Sequence, residues 1–180
     1  QVVRQIDLGR QAYLEERWED TILHYKLAED LNVSIDLGFA RDQRLQDLAL
    51  IHLKQGDQRS AGITIRKIVA MTPDPFAAKR RVAEIYFEAG MWAEGAGELE
   101  GALRLQGRDW AVMDDLGTAY LKMGDLRRLK MLAKKYDYIP NAEPRSTNEL
   151  ILLGNLHLSL ARLEDALGYF RQATMIEPEN

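Results

Sequence analysis

Apolar residues crowd into some stretches of the chain and thin out at regular breaks. Between residues 147 and 160, Leu150, Ile151, Leu153, Leu156, Leu158 and Leu160 are too many and too close for a thin surface stripe. That density predicts a helix covered on two sides. Helix starts precede such stretches. Ser146 with Glu149 three residues on forms a capping-box pattern, and Asp74 before Pro75 and Asp109 before Trp110 are equally good openings. Gly56-Asp57, Gly90 and Gly124-Asp125 follow about fifteen residues further on, where a helix must end in a left-handed residue and the chain must reverse. The pattern predicts helices over 2–15, 18–32, 42–54, 58–71, 76–89, 92–105, 110–123, 126–138, 147–160 and 163–176. They pair as antiparallel hairpins. A single hairpin cannot bury its apolar face, so an all-α stack of hairpins sharing a continuous core is expected.

The hairpins repeat in sequence. Leu48-Ala49, Val82-Ala83 and Leu116-Gly117 recur 34 residues apart, each followed three residues later by His52, Tyr86 or Tyr120, with Gly56, Gly90 and Gly124 in step. The frame extends to Leu8-Gly9 and Leu153-Gly154, with about six extra residues near 36–41 and about three near 144–146. Five units result, about 1–41, 42–75, 76–109, 110–146 and 147–180, expected to form one array.

These residues resemble the tetratricopeptide repeat family, whose period is about 34 with Leu-Gly-x-x-Tyr, Ala, Phe and Pro positions. The last unit fits best, with Leu153, Gly154, Ala166, Phe170, Ala173 and Pro178, although His157 stands in for the usual Tyr. Unit two supplies Leu48, Ala49, Gly56, Ala61 and Pro73, and unit three Ala83, Tyr86, Gly90, Trp92 and Ala102. Units one and four depart from the pattern: Glu16 and Thr21 replace Gly and Ala, and Leu129 and Ala133 reverse the small-then-large order. The resemblance implies a right-handed α-solenoid that binds proteins and catalyses nothing.

Composition removes several classes. With 46% hydrophobic and 29% charged residues the chain is expected to fold. A net charge of −4 provides no basic field for nucleic acid, and no apolar run is long enough to cross a membrane, so neither nucleic-acid binding nor direct membrane insertion is expected. The absence of cysteine rules out disulfides and thiolate chemistry, and fits cytoplasm and periplasm alike. The sequence starts at Gln1 without a Met and stops near Pro178, where a further unit would begin, so it is read as a fragment of a longer protein.

Each candidate for chemistry has a more ordinary reading. His52 and His157 hold equivalent positions three units apart, so they cannot share a metal and are expected as hydrogen-bonded core histidines; His24 is expected to face solvent. No metal or cofactor is called for. Gly95, Gly97 and Gly101 lie inside a helix with no strand before them, which argues against a phosphate loop; Gly95 is expected where close helix packing needs a small residue. Asp114 and Asp115 are adjacent, so they point about 100° apart and do not converge as an acid–base pair. Arg127, Arg128, Lys130, Lys134 and Lys135 make a basic cluster, read first as a solvated face opposite Glu94, Glu98 and Glu100 and second as an anion site.

The family resemblance places partner binding on the first helix of each unit. Carried over, its central apolar position becomes Tyr13, Leu53, Phe87, Leu121 and Leu158, with Arg10, Arg80, Glu84, Asp114 and Asn155 on the polar rim. The Lys and Asn clamp that some members use for chaperone tails is not supplied, since Ile151 stands in a Lys place and Asp47, Asp114 and Asp115 add negative charge. The leading expectation is a non-enzymatic scaffold for a protein, helix or peptide. The alternative is a scaffold segment of a bacterial envelope, secretion or exopolysaccharide-export assembly. Sugar stacking on Tyr13, Phe87, Trp18, Trp92 and Trp110 is a third class, set back because Trp18 and Trp92 fall where the hairpin closes. Self-association through Leu167, Phe170, Thr174 and Met175 of the last helix is also expected.

Overall fold

Aspartates and serines open the helices, as their short acceptors require. Asp57, Asp109 and Asp125 accept from the backbone N–H three residues on at 3.0, 2.9 and 2.9 Å, and Ser146 Oγ accepts from Glu149 N at 3.3 Å. Between paired helices Gly56, Gly90 and Gly124 take φ of 74°, 75° and 67°. In the first and last hairpins Glu16 and Ala161 hold the same left-handed conformation without being glycine, at roughly 1–2 kcal/mol each.

The computed structural model describes residues 1–31, 38–140 and 146–177, with side chains from Arg41 onward in the second stretch. Of the extra residues near 36–41 and 144–146, those at 36, 37, 144 and 145 lie outside that description, as does Pro178. Ten α-helices and no strand occur among the described residues.

The chain divides into two compact units, Gln1–Ala78 and Lys79–Asn180. The first contains α1 (Val2–Leu14), α2 (Trp18–Leu31), α3 (Gly38–Lys54) and α4 (Gln58–Met71), paired as α1 with α2 and α3 with α4. The division falls within α5 (Pro75–Glu88). The second unit continues with α6 (Trp92–Gln106), α7 (Trp110–Met123), α8 (Leu126–Tyr136), α9 (Thr147–Ser159) and α10 (Leu163–Ile176). Most ends fall within a residue or two of the expected ones. The exception is α3, which starts at Gly38 instead of 42; α8 stops at Tyr136, two residues early, where Asp137 turns left-handed at φ 51°.

Small residues let the paired helices meet. A Cβ on Gly9 would sit 2.4 Å from the Tyr25 ring, and one on Gly154 would sit 2.5 Å from Phe170, so in both hairpins an aromatic ring sixteen residues on fills the space left by glycine. Hairpin α7–α8 solves the same problem differently. The residue sixteen after Gly117 is Ala133, and the ring against Gly117 belongs to Tyr138, beyond the end of α8. Tyr138 is 1% exposed, and its hydroxyl donates to Asp114 Oδ1 at 2.6 Å. The reversed small-and-large order at Leu129 and Ala133 thus has a physical counterpart: Leu129 is buried and the missing ring is supplied from the following loop.

Within the first unit, Asp47 of α3 is 2% exposed and gathers four donor contacts. Arg10 Nη1 reaches its two carboxylate oxygens at 2.9 and 3.0 Å, the Tyr25 hydroxyl at 2.6 Å and Gln43 Nε2 at 2.9 Å. One buried carboxylate therefore ties α1 and α2 to α3. In the second unit Tyr120 donates to Glu100 at 2.8 Å, linking α7 to α6, and Lys122 of α7 pairs with Glu149 of α9.

Candidate functional site

The first helices of the second unit are α5, α7 and α9, and they carry seven of the ten expected groove residues. α9 shows how they are sorted. Leu150, Leu153 and Leu156 are fully buried in the hairpin and against neighbouring helices, whereas Leu158, two residues beyond Leu156 and about 200° around the helix, stays 50% exposed. Asn155 is partly exposed on the same helix. On α7, Leu121 is only 4% exposed, so it belongs to the core and offers little to a partner. On α5, Phe87 turns toward its own hairpin: its ring stacks on Trp92 at 5.3 Å and occupies the space that a Cβ on Gly95 would need, at 2.4 Å. The expected five-residue apolar stripe is therefore interrupted in this unit, and Leu158 is its most accessible member.

The rim is acidic around one arginine. Glu84 is exposed, and Asp114 accepts from Tyr138. The carboxyl of Asp115 keeps contact with solvent yet lies above its usual range, because crowding desolvates it; Arg80 opposes that shift, and Asp114, Glu84 and Asp109 add repulsion. Arg80 Nε is buried with no acceptor among the described residues.

The first unit places Arg10, Tyr13 and Leu53 at α1 and the end of α3. Tyr13 meets Trp18 edge-on at 5.7 Å, Arg10 lies over the Tyr13 ring at 5.3 Å while holding Asp47, and Lys54 Nζ lies 5.4 Å over Trp18. Leu53 is half-buried. Trp18 and Trp92 thus close their hairpins against the ring at the groove position, which fits their expected structural role. Arg10, 42% exposed, is more a tie between helices than a free rim charge.

The histidines divide. His157 is buried, with Nδ1 3.3 Å from Asp165 Oδ2 and its ring 5.1 Å from Tyr169. His52 Nδ1 is buried without a hydrogen-bond partner among the described residues. His24 corrects the expectation of a solvent-facing side chain: it is half-buried, and its Nδ1 lies 2.7 Å from Gln5 Oε1, because the close α1–α2 approach at Gly9 draws its Cβ inward. Among the described residues no three His, Asp or Glu side chains are grouped to hold a metal, and no helix is long and apolar enough to cross a membrane.

The basic cluster also departs from the expected pairing. Arg128 reaches Glu100 at 3.6 Å and Asp125 at 2.6 Å, but Glu98 turns to Lys79 at 2.8 Å. No ion pair among the described residues involves Arg104, Arg127, Lys130, Lys134 or Lys135. Arg127, Arg128, Lys134 and Lys135 of α8 instead line an open cleft shared with Arg104 of α6, which periodicity alone did not reveal.

Comparison with known proteins follows the same lines. The model of the tetratricopeptide repeat family matches residues 150–180, the stretch with the fullest set of pattern residues. No curated protein matches the chain. Similar solved structures include a mutant form of MamA, with 15% identity over 98% of this chain and 97% of that one at a TM-score of 0.55. MamA AMB-1 aligns at 14% identity over 99% and 93%, also at 0.55. A putative kinesin light chain of Podosopora anserina with nearly identical TPR-like repeats aligns at 15% identity over 98% and 94% at 0.54. At such identities these likenesses speak for the fold alone. The last repeat thus matches the tetratricopeptide repeat family by sequence, and the hairpins before it share the fold of solved structures with such repeats.

Proposed function

We propose that the chain is a non-enzymatic interaction scaffold that holds a protein or peptide partner against its first helices, with Leu158 as the main apolar contact in the second unit and Arg80, Glu84, Asp114 and Asn155 around it. The tetratricopeptide fold supports a protein-interaction scaffold in general. The observation that favours this location is the 50% exposure of Leu158 on a helix where Leu150, Leu153 and Leu156 are buried and Leu152 is half-buried, since a large apolar side chain left open beside polar groups is a common anchor for a partner. Arg10, Tyr13 and Leu53 provide a corresponding stretch in the first unit. Acidic neighbours around Arg80 favour a partner segment that brings both a positive charge and a hydrogen-bond acceptor.

The test begins with a partner recovered by crosslinking and identified by mass spectrometry. Its affinity is then measured against Leu158→Arg and Arg80→Glu, with Arg66→Glu on α4 as control. Leu158→Arg is expected to weaken binding about thirty-fold, as loss of a central contact does, and Arg80→Glu to change the charge preference more than the affinity. Phe87→Ala is the poorer probe, because that ring supports its own hairpin. Full binding by both first-helix variants would refute this placement.

A second copy of the chain is the reading favoured at α10. Leu163, Leu167, Met175 and Ile176 all stand exposed there, whereas Phe170 of the expected face turns inward onto Gly154, and covering such apolar surface stabilises an assembly by about 25 cal/mol per Å². Sedimentation velocity is expected to show concentration-dependent dimers that Leu167→Glu with Met175→Glu abolishes. A strictly monomeric wild-type chain at high concentration would rule this out.

A further inference from the structure

We infer a second docking site, on the second-helix side of the second unit: the cleft between α6 and α8 takes an acidic, amphipathic segment of a protein partner. The cleft has a volume of about 650 Å³. Leu116 and Tyr120 of α7 form its floor, and Leu103, Met131 and Leu132 form its apolar walls. Met131 is 60% exposed, and its flexible thioether can adapt to different apolar side chains.

The charges around this apolar interior are almost all of one sign. Arg104 stands on the α6 side, and Arg127, Arg128, Lys134 and Lys135 stand on the α8 side. Glu100 is the one carboxylate in the lining, and it is already engaged, accepting from the Tyr120 hydroxyl at 2.8 Å and lying 3.6 Å from Arg128. Arg104, Arg127, Lys134 and Lys135 enter no ion pair among the described residues. In a chain of net charge −4 this is a local reversal of sign, and it gives the site a preference for anions.

The distribution of the cations identifies the occupant. They lie on both walls, so one headgroup or one terminal carboxylate would satisfy a single wall only, whereas a peptide with several Asp or Glu side chains can address both. In the interior Leu103, Leu116, Met131 and Leu132 outnumber the two aromatic rings, Tyr120 and Tyr136. A nucleic acid would call for a series of aromatic stacking platforms along a basic track. A peptide helix with a Leu stripe between acidic flanks matches both the apolar floor and the charged rim. This site shares no residue with the first-helix face around Leu158, so the two can fail independently.

The experiment uses a fluorescein-labelled peptide helix with a Leu stripe flanked by Glu, titrated with the whole chain and followed by anisotropy. Saturable binding is expected, with no binding of the counterpart in which Lys replaces every Glu. Arg127→Glu with Lys134→Glu should weaken it about ten-fold or more, and Met131→Asp by a similar factor, while Arg66→Glu on α4 stays within about two-fold. Circular dichroism and melting of each variant establish that it is folded. Absence of saturable binding overturns the inference. So does binding that Met131→Asp leaves intact, since general charge attraction would then account for it. Saturable binding of sodium laurate or of a single-stranded oligonucleotide, with the peptide failing to compete, overturns it in favour of a different occupant.

Discussion

Asp47→Ala is expected to lower the stability of the chain by about 3 kcal/mol, the cost of removing one partner from a largely buried ion pair. The change strands the Arg10 guanidinium and the Tyr25 hydroxyl, both of which point at the lost carboxylate at 3.0 Å or less. Arg10 is 42% exposed and can turn to water, which keeps the loss at the lower end of the usual range. Tyr25 cannot. Asp47→Asn keeps the shape and part of the hydrogen bonding, so its loss should be smaller, and Tyr25→Phe removes one hydrogen bond to a charged group, worth about 1.5–3 kcal/mol. Urea unfolding followed by circular dichroism orders the three variants. A loss for Asp47→Ala below that of Tyr25→Phe would show that the carboxylate does not organise the network.

The same network sets a limit at high pH. Burial, then the hydrogen bond donated to Asp47, push the Tyr25 phenol well above its ordinary 10.0. In the unfolded chain the phenol ionises near that ordinary value, whereas in the folded chain it stays protonated. Its contribution is therefore complete below about pH 10 and is lost as pH rises toward the folded value. Tyr120, buried and bonded to Glu100, is pushed in the same direction, so both units carry a phenol that resists ionisation.

How much of this was legible follows from what a period can encode. The 34-residue frame located the hairpins because it repeats the places where backbones approach and reverse, and Ala49, Ala83, Gly117 and Gly154 are all buried where expected. It also gave Trp18 and Trp92 their hairpin-closing role. It could not encode contacts that occur once. In sequence Asp47 is only a negative charge near a groove, because its partners Arg10 and Tyr25 lie 37 and 22 residues away on other helices. Leu121 and Phe87 share a register position with Leu158, but differ in exposure because each hairpin fills its interior with different side chains. Phe87 had a local signal, in the glycine at Gly95 and the Trp at Trp92, that a ring would turn inward. For the cleft, α8 supplied a cluster of cations in sequence, but only the fold shows that Glu98 is drawn off by Lys79 and that Arg104 stands across from them.

Tyr138 is the clearest case of a residue hidden from periodicity, and it carries the other large expected effect. It follows α8 in a stretch without repeat character, yet it is 1% exposed and packs on Gly117. Tyr138→Ala should cost about 3–5 kcal/mol, the range for emptying a buried aromatic site. Tyr138→Phe should cost less, since it keeps the ring and gives up only the hydroxyl that meets Asp114 at 2.6 Å. The partner glycine permits a sharper measurement. A Cβ on Gly117 would lie 2.9 Å from the Tyr138 ring and 3.0 Å from its hydroxyl, so Gly117→Ala alone must displace the ring and destabilise the chain. With Tyr138 already changed to Ala that obstacle is gone, and the same Gly117→Ala change should stabilise the helix by about 0.5–1 kcal/mol. Opposite signs in the two backgrounds would give a coupling of about 1–3 kcal/mol. If Gly117→Ala has the same effect with and without Tyr138, the loop residue does not hold the place that a second-helix ring fills in the hairpins of Gly9 and Gly154.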